Sequence, residues 1–326
     1  MRKRIIIALS LFLILFGSGC IESISEQLEF YPKSTPSATV KPIPTPTPLM
    51  QPNLRWNHMP LSVYFEPSKI EGFTPSYIQD FQKAMGVWEK ITENLITFKI
   101  VNDSKSADIV VSWVSGLKTT SLDAIGNTDT TFANAFQFNV LTKAEIQLLT
   151  KYKGKRLSDI DVQNVALHEL GHALGLGHSS FEESIMYPIT ETSSKFLKTP
   201  LKSDVQTLIE IYKIVPKSDL YISEETRVTK KTEKTIFGER YYLNAKIIIL
   251  NMGLIDSKNT TFLIKVDGNV LKEDSVVQIP FGGKFSISYQ NILVPKDFDT
   301  VQIIIDPKNF VSELNEEDNI MSLTLK

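Results

Sequence analysis

Three of the chain's four histidines, His168, His172 and His178, fall within eleven residues, and Glu169 directly follows the first of them. In a helix, residues four apart share a face, so the His168 and His172 imidazoles project together. Gly175 is a natural helix terminator and Gly177 adds freedom beyond it, so the chain can turn and bring His178 back towards the same point. Three neutral imidazoles at about 2.0–2.1 Å from one metal, with a fourth position open to water, describe a catalytic rather than a structural zinc. Such a zinc lowers the pKa of its bound water towards about 7, making it the nucleophile, and polarises a substrate carbonyl. Glu169 cannot easily reach a metal bound by both flanking histidines, but as general base it can take the water's proton and pass it to a leaving amine. The pattern is His-Glu-x-x-His-x-x-Gly-x-x-His, with every specified position filled. A bare His-Glu-x-x-His arises by chance in helices, and the extended form is far more specific.

These side chains need a rigid helix and a turn behind it. Ser158 with Asp161 three residues on is a helix start, and the carboxylate complements the positive end of the helix dipole. Val165, Ala166, Leu170, Ala173 and Leu174 continue that helix with a buried face. Upstream, Leu61–Phe65 reads as a strand, and Thr74-Pro75 as an N-cap followed by proline at the first helical position. Tyr77, Phe81, Met85 and Trp88, with Ile78 and Ala84, recur at three-to-four spacing and predict a helix packed on a sheet, not a ligand site. Ile96–Val101 and Asp108–Val114 are strands rich in β-branched residues, and Ala133–Phe138 and Glu145–Leu149 are weaker candidates. Strand, helix, strand, strand predicts an α+β domain, a mixed β-sheet carrying helices.

On these residues the segment resembles a metzincin metallopeptidase and, within that clan, a matrixin. His178 is followed by Ser179 and then by Ser184-Ile185-Met186-Tyr187-Pro188, which is similar to the matrixin Met-turn. Leu201–Tyr212 resembles the terminal helix of that family, with Ser203-Asp204 at its start. Phe132-Ala133-Asn134-Ala135-Phe136 resembles its edge strand, and Trp56 with the Thr74–Trp88 helix fits the domain's beginning. Coverage is about residues 54–215, with specific motifs from His168 to Pro188. The resemblance implies a zinc-dependent endopeptidase acting on extracellular proteins or peptides, with one catalytic Zn2+ on His168, His172 and His178 and Glu169 as general base. It implies Met186 as a hydrophobic floor beneath the histidines. Tyr187, Pro188 and Ile189 would wall the pocket for the side chain after the cut bond, and Asn164 would help set its depth. Ala133 and Ala135 would lie on the strand that pairs with an extended substrate through main-chain groups, which tolerates many sequences.

The chain also departs from that family. Animal matrixins often hold a second, structural zinc with further histidines, but only His58 lies outside the motif and Asn134 stands where one such ligand is expected. One zinc is therefore expected. Calcium is unsupported, because Asp103, Asp108, Asp123 and Asp129 are scattered. Cys20 is the single cysteine, which rules out a cysteine-switch propeptide and internal disulfides.

The chain has 326 residues, with 35 Lys+Arg against 37 Asp+Glu. At roughly 150 residues per domain that predicts about two domains. The balanced, mixed charge gives no reason to expect nucleic acid as a partner. In residues 1–20, Arg2, Lys3 and Arg4 precede the apolar run Ile5–Phe16, and Gly17-Ser18-Gly19 leads into Cys20. That order reads as a secretory signal, shorter than the roughly 20 apolar residues of a membrane span. The small residues before Cys20 resemble a lipobox, which implies lipidation of Cys20 and a tether on the outer face of the cell membrane. An uncleaved signal anchor, or cleavage nearby, is the alternative. Residues 21–53 are a Pro/Thr-rich linker whose Lys41–Pro48 run favours an extended spacer.

Residues 216–326 change pattern to short strands and turns: Asp219–Ile222, Tyr241–Asn251, Thr261–Val266, Ser275–Pro280, Lys284–Ile292 and Thr300–Ile305. Asp267-Gly268 is a hairpin signal, and Gly282-Gly283 marks another turn. This predicts an all-β immunoglobulin-like sandwich. Its ending, Asp306-Pro307 through Glu316-Glu317-Asp318-Asn319, together with Asp219-Leu220 and Leu250-Asn251-Met252-Gly253, resembles the bacterial cell-adhesion-related domain CARDB. The acidic cluster Glu313, Glu316, Glu317 and Asp318 reads as a solvated turn rather than a calcium site, and Lys230–Lys234 as an exposed loop. The sandwich either binds a surface protein or glycan or only spaces the peptidase. A second function class is therefore a surface adhesion protein with a non-catalytic or autoprocessing peptidase-like domain. Zinc stoichiometry separates the two.

Overall fold

Ile109, Val111 and Trp113 are buried and alternate with half-exposed Val110, Ser112 and Val114, the period-two pattern of a strand with one face on a core. The computed structural model describes residues 54–117, 124–188 and 195–325. The expected signal and linker (residues 1–53, with Cys20), Asp123 and Ile189 lie outside the described residues. In chain order the first part comprises β1 (Leu54–Arg55), β2 (Leu61–Phe65), α1 (Ser76–Ile91), β3 (Phe98–Ile100), β4 (Ile109–Val114), β5 (Gly126–Ala135) and β6 (Phe138–Leu149). It continues with β7 (Lys151–Tyr152), β8 (Lys155–Arg156), α2 (Asp159–Ala173) and α3 (Lys202–Tyr212).

The main sheet runs β5-β6-β4-β2-β3, with β1 also on β6. β1, β4, β2 and β3 are joined to β6 by parallel pairings, and β5 alone is antiparallel. Among the described residues β5 pairs only with β6, so it is an edge strand. Ala133–Phe138, expected as one strand, instead spans the β5–β6 turn: β5 stops at Ala135, Phe136 takes φ 51°, and β6 starts at Phe138. Glu145–Leu149 is the far end of the long β6.

α1 buries Tyr77, Phe81, Ala84, Met85 and Trp88, the predicted stripe. Thr74 does not cap it. The helix opens at Ser76 without a side-chain cap, because the Thr74 hydroxyl is engaged with Ser76 Oγ and with Arg156. α2 does carry the predicted box: Asp161 N donates to Ser158 Oγ, and Ser158 N donates to Asp161 Oδ2. Aromatic donors tie the helices together. Trp88 Nε1 donates to Leu167 O at 3.1 Å, Trp56 Nε1 to Ala173 O at 2.8 Å, and Tyr77 OH to Leu157 O at 2.6 Å. The end of α3 closes the domain, with the Tyr212 hydroxyl donating to Leu174 O while the buried Arg55 guanidinium donates to Ile211 O and Ile214 O. α2 is thus clamped along its length, which the precision of a site built on it requires.

The second part comprises β9 (Leu220–Ile222), β10 (Arg227–Thr235), β11 (Gly238–Asn251), β12 (Thr260–Val266), β13 (Asn269–Val276), β14 (Lys284–Val294), β15 (Thr300–Ile305) and β16 (Ile320–Thr324). Two four-stranded antiparallel sheets, one of β9, β10, β11 and β14 and one in the order β13-β12-β15-β16, enclose a core of Leu220, Ile247, Ile249, Phe262, Ile264, Val301 and Ile303. The chain is therefore α+β followed by an all-β sandwich. The Asp267-Gly268 hairpin forms with both residues at positive φ, 44° and 80°.

Three local readings change in this sandwich. Lys230–Lys234 is strand, not loop: it lies in β10, paired with β11 through Leu243–Glu239. The strand expected at Ser275–Pro280 lies earlier and ends at Val276. Glu313 is buried rather than solvated, because its carboxylate accepts from Leu220 N and from the Asn319 amide. Asn251 fixes the neighbouring corner with four bonds, accepting from Asp219 N and Gly253 N and donating to Ile255 O and Ile279 O.

Candidate metal centre

His168 and His172 leave α2 on one face, and the turn after the helix returns His178 to them. That turn depends on Gly175, which sits at φ 103° and packs where a Cβ would overlap the Leu54 carbonyl oxygen. The three rings lie 4.7–5.4 Å apart, centroid to centroid. Among the described residues they form the group whose ligand atoms are close enough to share an ion, all within 4.8 Å of one another. His168 is buried, His172 half-buried and His178 exposed, so the cluster opens to solvent on the His178 side.

Hydrogen bonding sets the tautomers. His168 Nδ1 faces Ile185 O at 2.7 Å, and His172 Nδ1 faces Leu176 O at 2.8 Å. A carbonyl only accepts, so each Nδ1 carries the proton and each Nε2 is left with a lone pair. Those two Nε2 atoms face each other at 3.1 Å. Two acceptors at that distance have no proton to share, and a cation between them resolves the conflict. Two ligands at about 2.0–2.1 Å from a tetrahedral zinc stand about 3.3–3.4 Å apart, so the donor set fits that metal. Burial also keeps the imidazoles neutral, drawing His168 down to about 3 and His172 to about 4, and lowering His178 as well.

The turn after His178 packs against α2. Met186 is buried with its sulfur against Gly171, where a Cβ would overlap it. Its backbone is pinned by Ser179 N donating to Met186 O and by Met186 N donating to Ser184 Oγ. Ser184 Oγ in turn donates to Asp204 Oδ1 at 2.8 Å at the start of α3. The Ser184–Asp204 link was not legible in the sequence, because it joins residues from separate elements.

Glu169 points to the edge strand. Thr128 Oγ1 lies 2.6 Å from Glu169 Oε2 and 3.1 Å from Glu169 O. A Cβ on Gly126 would overlap Glu169 Oε1. Burial raises the Glu169 carboxyl to about 7, while the Thr128 hydrogen bond pulls it down and Asp129 pushes it up.

The other expected site residues are placed as follows. The β5 segment beside Glu169 is Gly126–Thr128; Ala133 pairs with Val140 five residues further on, about 17 Å along a strand. Ala135 closes β5. Asn164 is buried, its Nδ2 donating to Phe196 O and its Oδ1 accepting from Lys198 N, so its side chain braces the 196–198 segment. Tyr187 is half-buried and Pro188 exposed, directly after the buried Met186. Gly126 and Thr128 were missed by sequence reasoning, since a Gly-Asn-Thr run carries no signal of what it faces.

Residues 55–213 match the family described as Matrixin, and residues 217–323 match CARDB. Among curated proteins, metalloendoproteinase 1-MMP of Arabidopsis thaliana is 29% identical over 170 residues, covering 50% of this chain and 46% of that protein. Metalloendoproteinase 2-MMP of the same plant is 31% identical over 160 residues, covering 46% and 40%. Stromelysin-2 of Rattus norvegicus is 28% identical over 159 residues, covering 48% and 32%. The chain spans less than half the length of these relatives. Among solved structures, a Pyrococcus furiosus CARDB domain in complex with di-metal ions has 16% identity and a TM-score of 0.24, covering 34% of this chain and 90% of that one. The chain thus carries a matrixin-like domain at residues 55–213 followed by a CARDB domain at residues 217–323.

Proposed function

We propose that residues 54–215 are a zinc-dependent endopeptidase domain hydrolysing peptide bonds of extracellular proteins or peptides. The observation that carries this reading is the facing pair of lone-pair nitrogens, His168 Nε2 and His172 Nε2, 3.1 Å apart on the helix that also carries Glu169. His168, His172 and His178 would hold the ion. A zinc ion bound there supplies a Lewis acid for the scissile carbonyl and acidifies a water.

The chain's own residues do the rest. Glu169, raised to about 7 by burial, is matched to take a proton from water and return it to the leaving amine near neutral pH. The main-chain groups on the outer side of β5 are available to an extended peptide, which gives binding with little side-chain selection. Tyr187 and Pro188, directly after Met186, would form one wall of the pocket beyond the cut bond. The sandwich, residues 216–326, is a candidate binding module for a surface protein or glycan. Lipid on Cys20 would hold both domains at the outer face of the membrane. A Cys20→Ala chain released into the medium supports that tether, and one retained like wild type contradicts it.

The peptidase reading is tested by incubating the zinc-loaded chain with a diverse peptide mixture and mapping cuts by mass spectrometry. Cuts that disappear on chelation and return with Zn2+ support it. A folded chain with one bound zinc and no cuts contradicts it.

A further inference from the structure

Gly126 and Thr128 are two residues apart on β5, so they share one face of the strand. That face meets α2 at Glu169. Thr128 Oγ1 stands 2.6 Å from Glu169 Oε2 and also 3.1 Å from the main-chain oxygen of the same residue. One hydroxyl proton therefore serves two acceptors of a single residue, tying the helix backbone and the carboxylate to the same point on the strand. On the other side, a Cβ at Gly126 would overlap Glu169 Oε1 and crowd Val165 Cγ1. Gly126 is not at positive φ, so its backbone conformation does not demand glycine; the space for the carboxylate does.

Left to itself, a glutamate carboxylate turns broadly about its last torsion. Here one oxygen is held by a hydroxyl and the other lies against bare backbone, so both rotation and sideways displacement are restricted. Proton transfer requires the acceptor within hydrogen-bond reach and correctly aimed, and a misplacement near 1 Å costs roughly 100-fold.

We propose that Thr128 is a positioning residue for Glu169, orienting its carboxylate through the hydroxyl, and that Gly126 is the bare position that lets the carboxylate lie there. This rests on the peptidase reading above. A purely structural role for Thr128, as a tie between edge strand and helix, gives a different set of effects. Loss of such a tie would loosen β5 and weaken substrate pairing, seen as a rise in KM. Loss of positioning lowers kcat instead.

The test compares full-length wild type, Thr128→Val, Thr128→Ser and Gly126→Ala, each loaded with zinc. Valine keeps the shape of threonine without the hydroxyl, and serine keeps the hydroxyl without the methyl. We expect Thr128→Val to lose about 10- to 100-fold in kcat with KM and zinc content held, and Thr128→Ser to recover most of it. Gly126→Ala should lose kcat similarly with Thr128 intact. Wild-type kcat in Thr128→Val, or equal loss in Thr128→Ser, overturns the proposal. Crystal structures of the two Thr128 variants decide it independently of turnover. The Glu169 carboxylate should be turned or displaced in Thr128→Val and superimpose on wild type in Thr128→Ser; an unmoved carboxylate in Thr128→Val overturns the proposal even if wild type cleaves no peptide.

Discussion

His168 Nε2 and His172 Nε2 face each other at 3.1 Å while both Nδ1 atoms are committed to the carbonyls of Ile185 and Leu176. The helix supplies the four-residue spacing, and the carbonyls come from the Met186 turn and the chain just after α2. Removing either ring therefore breaks a set whose partners stay poised. His168→Gln or His172→Gln should weaken zinc binding by more than the roughly 10- to 100-fold typical of losing only a ligand's hydrogen-bond partner. Chelator competition on the purified variants measures this.

The same burial makes the metal-free protein acid-sensitive. His168 titrates near 3 when folded against 6.5 as the ordinary value, so the unfolded chain takes up a proton first as pH falls. The stabilising contribution is complete above 6.5 and declines as pH drops below it, by about 2 kcal/mol between pH 7 and 5 for one such histidine. Glu169, raised from 4.5 to about 7, works in the opposite direction over that window, because the folded state takes up its proton there. The histidine part is isolated by difference: chelator-treated His168→Asn should lose about 2 kcal/mol less than wild type between pH 7 and 5 in urea unfolding. Equal losses in the two proteins would argue against a buried neutral His168.

Gly171 lies on α2 between the two histidines, and its missing side chain is where the Met186 sulfur sits. Alanine has the higher helix propensity, yet Gly171→Ala should destabilise by about 1–3 kcal/mol through overpacking. Met186→Ala alone should cost about 2–5 kcal/mol, and the double variant should lose less than the sum of the two. Denaturant midpoints of the single and double variants check both statements.

Asn251 in the sandwich satisfies two main-chain donors and two main-chain carbonyls with one side chain. Asn251→Ala leaves these groups without that partner in a buried corner and should cost about 3 kcal/mol or more. Unfolding followed by tryptophan fluorescence and by circular dichroism should separate this from the peptidase part, because Trp56, Trp88 and Trp113 all lie in the first core.

What could be read in the sequence was local. The Ser158–Asp161 box, the histidine spacing, the Gly175 stop and the Asp267-Gly268 turn each depend on residues a few positions apart, and each formed as expected. Features set by distant partners could not be read. Lys230–Lys234 looks like a solvated run because β10 is an edge strand with mostly exposed side chains, and only pairing with β11 makes it a strand. Glu313 looks like surface charge, yet its partner Leu220 N is 93 residues away. β5 is rich in Thr, Asn and Asp, so its start at Gly126 was invisible, and only its last residues, Phe132–Ala135, could be read as strand. The motif residues were legible, and the strand that holds the carboxylate was not.

The most direct measurement is the rate of peptide cleavage by zinc-loaded Glu169→Gln against wild type, with bound zinc quantified in both. Glutamine keeps the shape of glutamate and cannot accept the proton. The expected result is one zinc per chain in each protein and a rate at least about 100-fold lower in the variant. Cleavage at the wild-type rate by Glu169→Gln, with zinc retained, would contradict the assignment of Glu169 as the base and of this cluster as the catalytic centre.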